Sequence, residues 1–506
     1  MSSDIASSIW MPVVRPVHPR LDEDLVVDVV VVGAGIAGVS VAWELSRAGH
    51  QVALLDSSQV GCGVTGHSTG KVTAVQGVRY SALERRLGAR ASARYAESQL
   101  LALQHLAAIV HRLKIDGALT RQPAYLFAED EAALPALTAE VEAARAAGID
   151  MRLTLKTGLP FPTTGAAVVA GQIALDPQRY VAALAADLVQ NGGRIYEDTT
   201  VTGLDEGTPH RIRTEGGPVV SAGHVVVTTQ FPIFDRALLF PHLRPRREFV
   251  LVADAPPGSV PAMYNSVGKD VRSVRISGPG SPDQLIVTGA PFSPGGDAAP
   301  GRLADLQRWA DERFHNPRWT ASWAAQDYDT PDGLPFIGPL HRFGKNMWAA
   351  TGFGGWGLSN GALAGILIRD LIEGRESPHA SLFHTRRLAP LVVARSLISG
   401  SPRLAHGMLG DRVRSHVTSI ATTSELEAGE AAYLRDAGIW AAYCDEVGDA
   451  HVVSANCTHQ GCRVTFNKEE TTWECPCHGS RFSVDGDVLQ GPATTPLEPH
   501  PDHEGS

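Results

Sequence analysis

Residues 457–480, "CTHQGCRVTFNKEETTWECPCHGS", gather four of the six cysteines of a 506-residue chain together with two histidines. The spacing is C-x-H at Cys457 and His459, fifteen intervening residues, then C-x2-H at Cys475 and His478, with Cys462 and Cys477 interleaved. Thiolates and neutral imidazoles bind soft or borderline metals, and two chemistries compete for such a set. A tetrahedral zinc site uses two Cys and two His, but a one-residue gap is tighter than the usual finger pair, and no helix signal follows. Two loops that each supply one Cys and one His suit a [2Fe–2S] cluster with one iron on two thiolates and the other on two imidazoles.

A second chemical stretch lies near the other end, "DVVVVGAGIAGVSVAWELSRAGHQVALLD" (28–56). It reads as a β-branched strand over 28–32, a G-x-G-x-x-G turn at Gly33, Gly35 and Gly38, a helix over 36–48, and a second strand ending in Asp56. Gly33 permits the tight turn, Gly35 lets backbone approach a pyrophosphate, and Gly38 lets helix and strand pack closely. The helix N-terminus, at Ile36 and Ala37, favours phosphate, and Asp56 with Ser57 stands where a ribose hydroxyl is bound. The motif predicts a dinucleotide without choosing between NAD and FAD.

The elements that must position these groups need more than one core, because 506 residues exceed a single domain. Composition is that of a globular protein, 43% hydrophobic and 19% charged. A formal charge of −10 argues against nucleic acid or an anionic membrane surface as partner. The most apolar run carries an Asp and three glycines, so it reads as strand-turn-helix and no membrane span is expected. The first twenty residues lack an apolar h-region, and only Cys62 and Cys444 lie outside the cysteine-rich window. Both features predict a cytoplasmic location.

Two more stretches separate FAD from NAD. "GCGVTGHSTGKVTAVQG" (61–77) follows the second strand, and "YDTPDGLPFIGPL" (328–340) precedes "NMWAATGFGGWGLSNGALAGILIRDLIEG" (346–374). With "LDPQRYVAALAADLVQNGGRIYEDTTVTGL" (175–204), the combination resembles the glycine/D-amino-acid oxidase (DAO) superfamily of flavoproteins over residues 25–375. "HVVVTTQFPIFD" (224–235) stands where that superfamily has "VVxATGxW", a local departure. The resemblance implies FAD, with the three glycines and Asp56 on the adenosine diphosphate, the Val201 backbone on the adenine, and Thr229 among the cofactor-binding residues. It places Thr65, Gly66, His67, Ser68 and Thr69 near the isoalloxazine, followed by Lys71, Val72 and Thr73. The loop Gly352, Gly354, Gly355, Trp356, Gly357 and Leu358 is implied to approach it as well. Backbone N–H groups at the start of that loop's helix suit the flavin edge that carries negative charge on reduction. His67 matches the position where the dimethylglycine/sarcosine dehydrogenase branch bonds its flavin covalently; a noncovalent loop histidine is the alternative. No second strand-plus-G-x-G-x-x-G unit occurs between 100 and 330, so electrons are expected from an organic substrate.

"CTHQGC" and "CPCHGS" resemble the two Rieske boxes. The resemblance implies that Cys457 and Cys475 hold one iron, His459 and His478 the other, and that Cys462 and Cys477 form a disulfide between the loops. Ser480 matches a hydroxyl that donates to the cluster. Phe482 stands where the respiratory type has a hydrogen-bonding Tyr, which predicts a lower potential.

The expected fold is α/β and α+β: a split Rossmann-like FAD-binding domain (25–80, 175–235 and 326–375) with a mixed-sheet substrate domain (81–174 and 236–325). A 1–24 arm precedes it, and a 376–419 linker with helices leads to a small all-β Rieske domain (420–500). Arg247, Tyr264, Arg272, Arg275, Gln326 and Asp327 are the candidates to face the substrate, with His67, Gln326, Asp327 and Arg275 the catalytic set. The expected reaction removes electrons from a C–N bond of a small amine or amino acid and passes them singly through the cluster to an external acceptor. The alternatives are reverse flow, with the cluster feeding the flavin, and a redox sensor or assembly protein.

Overall fold

The computed structural model describes residues 8–11, 15–234, 239–255, 259–278, 283–295, 301–340, 345–387, 418–435 and 440–501. At its centre the strand Leu25–Val32 is buried along most of its length, as expected of a β-branched strand inside a parallel sheet. It pairs in parallel with Val52–Leu55 on one side and Val219–Val227 on the other. Arg194–Tyr196 extends the sheet beyond the first, and Met347–Thr351 beyond the second. The sheet is therefore completed from a segment nearly three hundred residues away, as the split-domain expectation requires. Helix Gly357–Ile372 returns to pack on helix Ile36–Arg47.

Among the described residues the second sheet has nine strands, including Leu119–Ala128, Gly165–Leu175, Arg244–Asp254, Met263–Val267, Ser273–Ile276, Gln284–Phe292 and Trp319–Asp329. Lys71–Val72 pairs with Gly165–Leu175 in this sheet, and the strand through Gln326 also belongs to it. Lys71–Val72 was expected in the FAD-binding segment 25–80, and the strand Trp319–Asp329 runs across the boundary expected at 326. Alternation along its strands gives two faces. Phe249, Leu251, Val274 and Val287 point outward into a core under helix Arg302–Phe314. Val250, Val252, Ile286 and Trp323 point inward and pack around Trp10 of the N-terminal arm.

Among the described residues the C-terminal unit forms two four-stranded sheets, Thr418–Ile420 to Ala450–Ser454 and Thr465–Asn467 to Val488–Gln490, around Trp473, Phe482 and Leu497. In the preceding linker, a short helix Ala380–Phe383 buries Phe383; the rest of the expected linker helices fall at 388–417, outside the described residues. No helix among the described residues is long and apolar enough to cross a membrane.

Candidate functional site

At the dinucleotide turn, Gly33 adopts φ +101°, and a Cβ on Gly38 would lie 1.8 Å from the Gly33 carbonyl, so only glycine lets the helix start this close to the strand. Ala34 N–H donates to Asp56 Oδ2 at 2.5 Å and Ser58 N–H to its Oδ1 at 2.8 Å. Burial pushes the Asp56 carboxyl up, and these N–H bonds oppose the shift. Ile36 N–H donates to Thr65 Oγ1 at 2.9 Å, and Gly35 leaves the backbone bare beside that hydroxyl. Ala37 is buried and Ser57 exposed. Val201, buried at the start of its strand, walls with Ile233 a cleft of about 130 Å³ into which His459 opens. The Thr229 hydroxyl donates to the Phe231 carbonyl at 2.7 Å.

Segment 64–73 lines the inner face of the second sheet. Gly66 is buried beside Gln178, and Thr73 donates to Gln172 Oε1. The His67 ring shares a hydrogen bond with the Gly63 carbonyl through Nδ1, and its own carbonyl accepts from Trp323 Nε1 at 2.9 Å. The Ser68 carbonyl accepts from Trp10 Nε1 at 2.7 Å. Lys71 is buried, donates to Asn265 Oδ1 at 2.7 Å and to Ser273, and stands 5.9 Å from the Trp356 ring centroid. Desolvation, and then the Arg275 charge, push Lys71 down to about 7. Gly352, Gly354 and Gly355 all take positive φ in the turn before helix Gly357–Ile372, where Leu358 is buried.

The substrate candidates divide by strand parity. Arg275 and Asp327 lie on the inner face. Arg275 is 0% exposed and donates to the carbonyls of Thr69, Gly70 and Ile276, with its ring partner Trp10 below. Asp327 Oδ2 accepts from Gly355 N–H at 2.6 Å, and burial raises its carboxyl to about 6. Arg247, Tyr264, Arg272 and Gln326 lie on the outer face. Tyr264 donates to the Thr157 carbonyl and Arg272 stacks on Trp309. Gln326, expected beside the substrate, instead meets the C-terminal unit, because it sits one residue out of phase with Asp327.

The two cysteine loops are built alike. Cys457 N–H donates to the Cys462 carbonyl and Gly461 N–H to the Cys457 carbonyl; Cys475, Ser480 and Gly479 repeat the same pair of bonds. Cys462 and Cys477 are disulfide-bonded, Cα atoms 6.5 Å apart, which ties one loop to the other. Their sulfurs lie close to Cys475 Sγ, but a disulfide offers no thiolate, so the free thiols of Cys457 and Cys475 are the available sulfur ligands. The Cys457 thiol is pulled down by its contact with Cys475, then by N–H groups of His459 and Gln460 and the Ser480 hydroxyl. The rings of His459 and His478 stand 5.0 Å apart, and burial lowers His478 to about 3. His459 Nδ1 is buried with no hydrogen-bond partner among the described residues. A thiol poised to ionise, neutral imidazoles and an orphaned ring nitrogen fit a Rieske cluster.

This cluster end docks on the outer face of the second sheet. Tyr328 OH donates to the His478 carbonyl at 2.8 Å and Gln326 Nε2 to the Gly479 carbonyl at 2.9 Å. Phe231 packs its ring 5.8 Å from His459 and 5.2 Å from His478. Arg247, 0% exposed, is paired with Glu474 and Glu470 of the C-terminal unit. Sequence reasoning missed Phe231, Tyr328 and Glu474; the one signal was the departure from the superfamily pattern at 228–231.

A split parallel sheet with an amide-rich turn, joined to a docked two-loop Cys/His site, defines a flavoprotein with its own iron–sulfur module. The chain matches the family model for FAD dependent oxidoreductases (DAO) over residues 28–371 and that for the Rieske [2Fe-2S] domain over 416–501, and it belongs to the DAO family with a Rieske domain appended. The two matches identify its cofactors as FAD and a [2Fe–2S] cluster. It is 32% identical to the putative Rieske 2Fe-2S iron-sulfur protein YhfW of Bacillus subtilis over 96% of this chain and 95% of that one. It is 51% identical over 43 residues to the cytochrome b6-f complex iron-sulfur subunit 3 of Nostoc, spanning 24% of that protein. Among solved structures, glycine oxidase from Geobacillus kaustophilus shares the fold at TM-score 0.61 and 22% identity, over 72% of this chain and all of that one. L-proline dehydrogenase from P. horikoshii does so at TM-score 0.58 and 18% identity, over 72% of this chain and 98% of that one.

Proposed function

We propose that this chain oxidises the C–N bond of a small amino acid and sends the electrons outward through its Rieske cluster. The observation that carries the reading is Arg275: a completely buried guanidinium whose Nη2 has no hydrogen-bond partner among the described residues. Its bonds go only to carbonyls, and Lys71 beside it bonds only the neutral Asn265 and Ser273. A buried guanidinium without a bonded carboxylate favours an anionic ligand, and a substrate carboxylate suits it. When bound, FAD supplies two-electron oxidation of a C–N bond and the cluster a one-electron outlet. Arg275 orients the carboxylate; Lys71, held near neutrality, can take a proton from a substrate ammonium at Nζ. Trp10 and Trp323 exclude water from that end of the inner face, while Asp327 holds the Gly355 amide in place. Glycine oxidase and L-proline dehydrogenase, which share the fold, are named for amino-acid substrates of this class.

Anaerobic stopped-flow mixing with a panel of amino acids and their decarboxylated amines tests this. Bleaching of the flavin followed by reduction of the cluster, with the carboxylate-bearing partner preferred, is the expected order. Cluster oxidation preceding any flavin change with a reduced donor would favour the reverse direction, and no turnover with any amine would favour a sensor.

A further inference from the structure

The placement of the Rieske unit is more than a contact between neighbours. On strand Trp319–Asp329, Gln326 and Tyr328 bond the cluster loop on the outer face. Asp327, between them, bonds Gly355 of the flavin loop on the inner face. The two redox loops thus touch opposite sides of one strand, with only that strand between their contacts. Gln230 adds a second tie. Its backbone sits at φ +64°, a left-handed conformation that costs a non-glycine residue energy. What it holds there is specific: its Oε1 accepts from Gln490 of the Rieske unit at 2.8 Å, its Nε2 donates to the Gln326 carbonyl, and its own carbonyl accepts from Thr351. Around this seam Arg247 reaches Glu474 and Glu470, Gly295 N–H donates to Glu474 Oε2, and Gly301 N–H to Glu469.

We propose that the Rieske unit is a permanently docked module in which electrons cross to or from the flavin domain within one chain. Gln230 and Tyr328 are the positioning residues of that crossing. A buried, multiply bonded cation between two units fixes one orientation, and a glutamine retained in a strained turn is explained by the bonds it makes across the seam. The inference concerns the route, not the substrate or direction, and so rests on the proposed function only for the identity of the two redox sites.

The test uses the loaded full-length protein with a site-specific protease sequence inserted within residues 388–417. After cleavage, the two pieces should co-elute in gel filtration at low micromolar concentration, carrying flavin and iron in one peak. Arg247→Glu, facing two carboxylates, should separate them. Gln230→Gly accepts the left-handed turn without strain, so its flavin spectrum and thermal stability should hold while the dissociation constant of the cleaved pair rises roughly five- to tenfold. In the uncut protein, flavin photoreduced with oxalate as the sacrificial electron donor, and no amine present, should pass electrons to the cluster with a first-order rate independent of protein concentration, slowed in Tyr328→Phe. Wild-type pieces that separate, or a rate that rises in proportion to protein concentration, would overturn a permanent dock. Gln230→Gly and Tyr328→Phe both indistinguishable from wild type would overturn the positioning roles. Because no amine enters these measurements, failure to find a substrate leaves their outcome unaffected.

Discussion

Replacing Arg247 with Met should loosen the dock in a pH-dependent way. Arg247 is 0% and Glu474 2% exposed, so solvent screens this pair little. Burial by itself pushes the Glu474 carboxyl up, and the charges of Arg247 and Arg481 reverse that and hold it below its usual range. Without Arg247, Glu474 keeps only Arg481, 3.6 Å away, and the Asn467 and Gly295 donors. Removing one member of a buried pair costs about 3–5 kcal/mol, and the remaining cation argues for the lower end. About 3 kcal/mol is roughly a hundredfold in the docking equilibrium. The loss stops there, since an undocked Glu474 regains water. The sign with pH follows from Glu474. In wild type its depressed carboxyl contributes stability above its unfolded value of 4.5, lost as pH falls. In the variant burial dominates, the carboxyl rises, and protonation relieves the penalty, so the deficit should shrink between pH 7 and 5. Hydrogen exchange of the 475–480 amides, read by mass spectrometry, should lose about a hundredfold protection at pH 7 and less at pH 5. Unchanged exchange at pH 7, or a deficit that grows on acidification, would refute the reasoning.

Four further outcomes are expected. Arg275→Met should weaken binding of a simple carboxylate, followed by perturbation of the flavin spectrum, by roughly 10- to 100-fold, the loss of a charged hydrogen bond. Lys71 has its folded value depressed from 10.5 to about 7. Wild-type stability should therefore rise with pH across that window, and Lys71→Met should flatten the rise, by up to about 5 kcal/mol over the window, in urea unfolding at stepped pH. Serine at both Cys462 and Cys477 opens a link of sequence separation 15. It should cost about 3 kcal/mol and hasten thermal loss of the cluster's visible circular dichroism. Phe482 is 0% exposed beside Trp473; potentiometry should find wild type below the respiratory type and Phe482→Tyr above wild type.

Much of the architecture was legible because it rests on local chemistry. Gly33, Gly38 and Asp56 announce their turn through steric need, and the four ligand-type residues of the cluster through spacing. The split sheet was implied by the superfamily resemblance that the stretches at 61–77 and 328–374 carry. What was not legible is parity. Gln326 and Asp327 are adjacent in sequence, and nothing local says which of them a sheet will turn inward. The same holds for Arg275 and Arg272. Arg247 and Glu474 are separated by more than two hundred residues, so neither advertises the other, and Trp10 reads as an arm residue until the inner face is seen packed upon it.

The departure at 228–231 is where sequence and structure explain each other. The superfamily pattern places glycine where this chain has Gln230, and the structure keeps the left-handed turn regardless. A glutamine there adds backbone strain and, of itself, nothing to flavin binding. It becomes intelligible only with Gln490 and Gln326 in reach, and with Phe231, the next residue, packed against both histidine rings. A flavin domain that acquires a Rieske partner must reshape the surface that receives it. The change need be no longer than two residues if they follow the central strand Val219–Val227, whose position the sheet already fixes. On this reasoning, restoring glycine at 230 and a small residue at 231 should leave a competent flavin domain that no longer seats its cluster. Flavin content would stay at the wild-type level while the protection of amides 475–480 falls; loss of both together would instead mark 230–231 as part of the flavin domain's own core.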